Sequence, residues 1–345
     1  MAAPRVFGRE KRIVNKGILR ICFALILVIL SAGVWVLGLS RHLEQPRNFE
    51  QTEITISPGQ SFSSVLTGLH RQGLISSVWK LKLYARFKGC DKKLRAGEYL
   101  IPAGASPEKI LNILVQGKVV LHRITVPEGY SLRQIAETVD RAGLVPEAEF
   151  LAAADDPLLI NEFKISGSSF EGYLFPDTYL FSRQTSAREI IEVMVHRFNE
   201  VFSNDWKERA TRLGLSIHEV VVLASIVEKE TGVDAERPVI ASVFRNRLNL
   251  GMRLESDPTV IYGIENFDGN LTRTHLRTPT PYNTYTQQGL PPGPISSPGR
   301  KSLEAVLYPA DTPYLFFVAR KDRTHQFSAT LTEHRKAVSA HQLSP

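Results

Sequence analysis

Residues 21–39, ICFALILVILSAGVWVLGL, run for nineteen positions without a charged side chain. As a helix that run rises about 28 Å, close to the ~30 Å hydrocarbon thickness of a bilayer. Arg5, Arg9, Lys11, Arg12, Lys16 and Arg20 precede it, against the single acid Glu10. An excess of positive charge of this kind marks the cytoplasmic side. The expectation is a cytoplasmic tail over 1–20, a transmembrane helix over 21–39 and an extracytoplasmic remainder. A cleaved signal peptide is the competing reading. It calls for a shorter apolar core and a small-residue cleavage site, and no A-x-A-like site follows here. Cys22 opens the run instead of closing it, which argues against lipoprotein-type processing.

The net charge of +7 reduces to this topology signal. Residues 1–20 carry +5, and the remaining 36 basic and 34 acidic residues leave +2. The exported part thus lacks the basic excess of a nucleic-acid-binding surface. Beyond the apolar run only Cys90 remains, so neither an internal disulfide nor a thiolate metal cage is expected. The nine histidines show no H-E-x-x-H spacing, and no metal site or cofactor is expected.

Residues 54–75, ITISPGQSFSSVLTGLHRQGLI, align with 124–145, ITVPEGYSLRQIAETVDRAGLV, at a constant offset of 70. A partial third copy, YLIPAGASPEKILNILVQG, lies between them at 99–117. Each reads as a short strand, a glycine turn, a serine cap and an amphipathic helix. The units loosely resemble LysM-type cell-wall modules; a small α+β spacer domain explains the pattern equally well. The chain then turns helical. Ile191, Met194, Val195 and Phe198 form one apolar face in a long helix expected over 187–212. Ser216 and Glu219 form a capping box for a second helix, and a third runs from about Arg237 to Leu250.

The second helix ends in Glu228-Lys229-Glu230. With Val221 at 0° and 100° per residue, Val222, Leu223, Ile226 and Val227 centre near about 170°. Glu230 falls at about 180°, in the middle of that arc, and Glu228 at about 340° beside Ala224 and Ser225. A carboxyl that continues an apolar stripe is either a solvated last-turn residue or a desolvated one. Desolvation would raise its pKa toward the range a general acid needs. Geometry ranks Glu230 above Glu228 and leaves both readings open.

Several blocks bear on that choice. EKETG at 228–232 is followed by ERPVIASVFRNRL at 236–248, MRLESDPTVIYG at 252–263 and TPYNTYTQQGLPPGPISSPG at 280–299. EGYLFPDTY stands upstream at 171–179 and PYLFFVA downstream at 313–319. Taken together, over roughly 50–340 and behind a single apolar helix, they resemble the endolytic murein transglycosylase (YceG-like) family. The resemblance implies cleavage of peptidoglycan glycan strands between N-acetylmuramic acid and N-acetylglucosamine, without water. It also implies peptidoglycan synthases as partners and Glu230 as the catalytic acid, with Glu228 in support.

Around that acid the candidate substrate-binding residues are Asp257, Tyr282, Asn283, Tyr285 and Glu171. PYNTY resembles the A-Y-N signature of other lytic transglycosylases, with proline in place of alanine. Asn283 either bonds a sugar or braces its loop as an Asx turn, and the tyrosines are suited to stacking on a sugar face. Asp257 reads also as a turn residue, and Glu171 as a structural acceptor. GLPPGPISSPG at 289–299 is expected to form a stiff cleft rim. Arg245, Arg247 and Arg253 either pair with acidic peptide stems or line a solvated helix face. A hydrolytic muramidase and a non-catalytic wall-binding scaffold remain the alternatives. The architecture expected is α+β: a LysM-like domain over 40–122, a second repeat-like segment over 123–186, and a mainly helical, lysozyme-like catalytic domain over 187–345.

Overall fold

The computed structural model describes residues 16–341; the beginning of the expected cytoplasmic tail, 1–15, lies outside the described residues. The chain is mixed α and β and divides into two compact units, Met1–Val120 and Leu121–Pro345. Each sheet is a two-stranded antiparallel pair.

The first unit begins with α1 (Lys16–Glu44), whose segment Arg20–Glu44 is long and apolar enough to cross a membrane. Ile21, Phe23, Val28 and Val34 on it are exposed, as a lipid-facing helix requires. Its last turns are different. Leu39 and Leu43 are buried in a core with Ile54, Leu66, Leu81, Tyr99 and Ile110. That core is closed by β1 (Thr52–Ile56), α2 (Phe62–Arg71), α3 (Val78–Phe87), β2 (Gly97–Ile101) and α4 (Pro107–Gln116).

The second unit opens with β3 (His122–Thr125), α5 (Leu132–Arg141), α6 (Glu147–Ala154), α7 (Pro157–Glu162), β4 (Thr178–Phe181) and α8 (Ala187–Val201). Then come α9 (Asn204–Arg212), α10 (Ile217–Glu230), α11 (Arg237–Asn249), α12 (Asp257–Tyr262), α13 (Arg273–Arg277) and α14 (Arg300–Leu307). The hairpin β5 (Phe316–Ala319) and β6 (His325–Ser328) and helix α15 (Leu331–His341) complete it. Residues of 123–186 and of 187 onward share one core, in which Ile124, Phe150, Phe170, Met194, Val221 and Leu303 are all buried.

The repeat is larger than the offset of 70 discloses. The stretch read as a third copy is the second half of the first module, because β2 pairs with β1 and sets Ile54 opposite Tyr99. In the second module β4 pairs with β3 and sets Ile124 opposite Tyr179. Tyr99 donates to the carbonyl of Arg95 at 2.7 Å, and Tyr179 to that of Phe175 at 2.5 Å, both four residues back. Ser106 then caps α4 as Ser186 caps α8. The module is therefore strand, helices, strand, helix, present twice.

The helix expected over 187–212 is broken. Phe202 leaves helical geometry (φ −80°, ψ 72°) and Ser203 is extended. The break keeps Phe202 in the core, stacked on Phe198 and edge-on to Trp206, where a continuous helix would turn it elsewhere. By contrast α10 begins at the expected Ser216–Glu219 capping box. Every residue from Val220 to Val227 is buried, so α10 is the helix around which the second unit packs.

Candidate active site

Helix α10 stops at Glu230 because Thr231 is extended (φ −144°, ψ 140°) and buried, its hydroxyl accepting from the Val233 amide. Glu230 is thereby left at the rim of the core, half-buried. Burial pushes its carboxyl up from 4.5 to about 7, and the neighbouring Asp257 charge adds to the rise. A hydrogen bond from Ser256 and the more distant Arg247 charge oppose it. Its place at the helix C-terminus, where the backbone dipole disfavours a negative charge, acts in the direction of the rise. The carboxyl can therefore hold a proton near neutral pH while keeping an edge open to solvent.

Ser256 is the N-cap of α12, yet its side chain caps nothing in that helix; its hydroxyl is donated to Glu230 Oε1. Several contacts aim it. Its amide donates to Thr284 Oγ1 at 3.0 Å, and its carbonyl accepts from the Thr259 hydroxyl at 2.7 Å. Before it, Glu255 sits in the left-handed region (φ 51°), uncommon for a side chain of this size. The Glu255 amide is bonded to the Thr284 carbonyl, and its carboxylate to Arg247 at 3.1 Å. Strain of this sort costs about 1 kcal/mol or more and persists where surrounding bonds over-determine it.

At the far end of α12, Tyr262 donates its phenol to Glu171 Oε2 at 3.0 Å. Glu171 is 6 % exposed and also accepts from the Leu132 amide in the first turn of α5. Burial lifts it from 4.5 to about 7 despite those bonds. Its neighbour Gly172 (φ 81°) has no room for a side chain: a Cβ there would stand 2.5 Å from Pro294 and 2.9 Å from Val221 of α10. The EGY turn is wedged between α10 and the proline-rich loop.

A family model described as the YceG-like family matches residues 54–340. The chain belongs to the YceG-like family. It is 33% identical, over 90% of its length and 90% of the relative's, to an endolytic murein transglycosylase of Bacillus subtilis. It is 30% identical to an endolytic murein transglycosylase of Streptococcus pneumoniae serotype 2, over 87% of this chain and 60% of that one. The chain thus spans about three fifths of the pneumococcal protein's length. A crystal structure of a yceG-like protein from Listeria monocytogenes superposes with a TM-score of 0.59 at 34% identity, covering 83% of this chain and 99% of that one.

The other candidate residues of this YceG-like chain fall into two groups. Asp257 is exposed and accepts from Tyr285 at 2.7 Å, and its charge acts on Glu230. Tyr285, Asp257, Ser256 and Glu230 are therefore brought together. Tyr282 packs against Tyr262 at 4.8 Å, toward the Glu171 end of α12. Asn283 is fully buried. Its amide nitrogen donates to the carbonyls of His275, Leu276 and Thr278, and its oxygen accepts from the Tyr285 amide in an Asx turn. That leaves the side chain committed to its own loop, where it sets the position of Tyr285.

Glu228 points away from Glu230. Its side chain is 6% exposed, pairs with Arg237 at 3.2 Å and accepts from the Gly299 amide at 3.0 Å. The proline-rich loop is a buried strap rather than a rim from Gly293 to Gly299. The Ile295 amide donates to Ser225 Oγ at 3.0 Å, and Ser297 exchanges backbone bonds with Gly129 and Tyr130. Arg247 is buried as well, its guanidinium donating to the carbonyls of Leu315, Arg253 and Leu254. The sequence marks 256–263 as a cleft wall but gives no role of their own to Ser256 and Tyr262 within it, nor to Thr284. A serine before Asp-Pro reads as an ordinary helix cap, and only the fold shows its hydroxyl turned to Glu230.

Proposed function

We propose that this YceG-like protein is a membrane-anchored lytic transglycosylase that cuts peptidoglycan glycan strands internally. The observation that carries the reading is Glu230, a half-buried carboxyl pushed up to about 7 and held by Ser256. One such group suffices for the chemistry. Protonated Glu230 gives its proton to the glycosidic oxygen of the N-acetylmuramic acid–N-acetylglucosamine bond as that bond breaks. The carboxylate so formed takes the proton of the muramic C6 hydroxyl while that oxygen bonds to C1. The products are a free N-acetylglucosamine end and a 1,6-anhydro ring, and Glu230 regains its proton; no water is consumed.

In this reading α1 anchors the chain in the cell inner membrane with its N-terminus cytoplasmic. The catalytic domain, lysozyme-like in its helical core, occupies 187–345, with the repeat-like segment 123–186 and a LysM-like domain over 40–122. Tyr285 and Asp257 bind the strand beside the acid, and synthases that extend the strand are its partners. The enzyme is a lyase, and its cut would terminate glycan elongation.

Hydrolysis of the same bond is the second reading, favoured by Asp257, an exposed carboxyl whose charge reaches Glu230. Purified glycan strands incubated with the full chain in detergent, and analysed by mass, separate the two. Anhydro ends one water lighter than reducing ends support the lyase; reducing ends alone overturn it. Undiminished cleavage by Glu230→Gln removes the assignment of the acid.

A further inference from the structure

The apolar stretch of α1 does not reach the folded part through a linker. Leu39, the last residue of the apolar run, is already buried in the core of the first unit, and Leu43 one turn later is 2% exposed. The unit therefore begins where the hydrocarbon ends. An element packed on the last turns of α1 lies within about one helix diameter, ~10 Å, of that boundary. The headgroup layer on each side of a bilayer is itself roughly 5–8 Å deep. Helix α3 is such an element. It contacts α1 directly, and Ser76, just before it, reaches His42 of α1 at 3.5 Å.

The inner face of α3 is accounted for: Leu81, Tyr84 and Ala85 are buried. Its outer face is not polar, as a solvated face would be. Trp79 is 57% exposed and Phe87 73%, with Leu83 half-buried between them. With Val78 at 0°, these three fall at about 100°, 140° and 180°, a single strip opposite the core. Arg86 and Lys82 lie on one side of the strip at about 80° and 40°, and Lys80 on the other at about 200°. Over residues 78–95 seven basic side chains stand against the single acid Asp91. The rest of the exported chain is close to neutral, so this concentration is local. A strip of aromatic and aliphatic side chains bordered by cations is the pattern of a helix that lies in the plane of a membrane interface. A protein partner of ordinary surface would leave the cations unmatched; an anionic headgroup layer matches them and takes the rings.

We propose that the outer face of α3 is a membrane-docking surface: Trp79, Leu83 and Phe87 enter the interface of an anionic bilayer, and the flanking lysines and Arg86 pair with lipid phosphates. The surface acts beside α1, which supplies attachment, and fixes the orientation of the first unit against the bilayer. It rests on α1 as the membrane span and is independent of the reaction at Glu230.

The chain has three tryptophans, Trp35, Trp79 and Trp206, which makes the test direct. The full chain carrying Trp35→Phe is reconstituted into phosphatidylcholine bilayers with and without phosphatidylglycerol, each with acyl chains brominated or not. The same chain carrying Trp79→Phe as well gives the Trp206 background. Roughly half of the Trp79 emission is expected to be lost to brominated lipid in the anionic bilayers. High salt or Arg86→Glu with Lys80→Glu should restore it, with an unchanged unfolding temperature. Equal Trp79 emission in brominated and unbrominated bilayers overturns the proposal. So does a Trp79 signal that ignores lipid and responds to soluble glycan fragments, which would assign the face to the wall polymer.

Discussion

Glu228 and Glu230 leave the same turn of α10 in opposite directions, and each meets a different kind of partner. Glu228 is locked to the Arg237 guanidinium and the Gly299 amide, both charged or strongly polar donors. Glu230 receives one neutral hydroxyl, from Ser256, in surroundings that raise its proton affinity. One carboxyl is thus committed to an ion pair inside the protein, and the other sits where burial raises its proton affinity.

Glu230→Gln should lower turnover of glycan strands by about 10²–10⁴-fold, the usual contribution of a positioned general acid. The melting temperature should stay level or rise, since a neutral amide avoids the desolvation cost. Anhydro-product formation and thermal unfolding measured on one preparation check both halves.

Arg237→Met should act on stability alone. It leaves Glu228 buried without its cation, a change that costs about 3–5 kcal/mol at buried ion pairs. Chemical denaturation should show that loss, while the fraction that remains folded keeps its specific activity.

Two pH effects follow from the raised carboxyls. Activity should fall as pH rises through about 7, where Glu230 gives up its proton. Glu171, also raised from 4.5 to about 7, favours the folded state in its protonated form. Its stabilisation is fully present below pH 4.5 and is lost as pH rises through 7, by on the order of 3 kcal/mol. Denaturation midpoints of Glu171→Gln should therefore decline less between pH 5 and 7 than those of the parent.

Ser256→Ala removes the hydrogen bond that holds the Glu230 pKa down. The alkaline limb of the rate profile should move to higher pH, with turnover reduced because the carboxyl is no longer aimed. A pH–rate series on wild type and variant reads the shift; an unmoved limb contradicts the assignment.

Asn283→Ala strips a buried amide from three carbonyls at once. Each unsatisfied buried group costs about 1–3 kcal/mol. The unfolding temperature should drop sharply, and shortened glycans should show no selective rise in KM. Loss of binding with full stability would instead make Asn283 a sugar ligand.

Local signals in the sequence carried well into the fold. Ser61, Ser131 and Ser216 cap the helices their spacing announced, and Glu230 lies on the apolar side of its wheel, rooted in the core helix. Signals needing distant partners did not carry. The second half of the duplicated module is displaced by 80 residues, not 70, because α6 and α7 intervene between Leu144 and Tyr179. Ser256 was hidden for a related reason: its bond to Glu230 joins positions 26 residues apart, and no local pattern records it. Asn283 allowed two readings, and its depth in the loop could be seen only once His275, Leu276 and Thr278 surrounded it.

Leu39 belongs at once to the uncharged run and to the packed interior of the first unit. The apolar helix and the unit are accordingly packed as one piece, with no linker between them. Extra residues spliced in at that point would not lengthen a leash; they would rotate every later side chain of α1 out of its socket. The rotation of the first unit about the axis of that helix is written into the helix's phase, and its tilt is left to the face of α3.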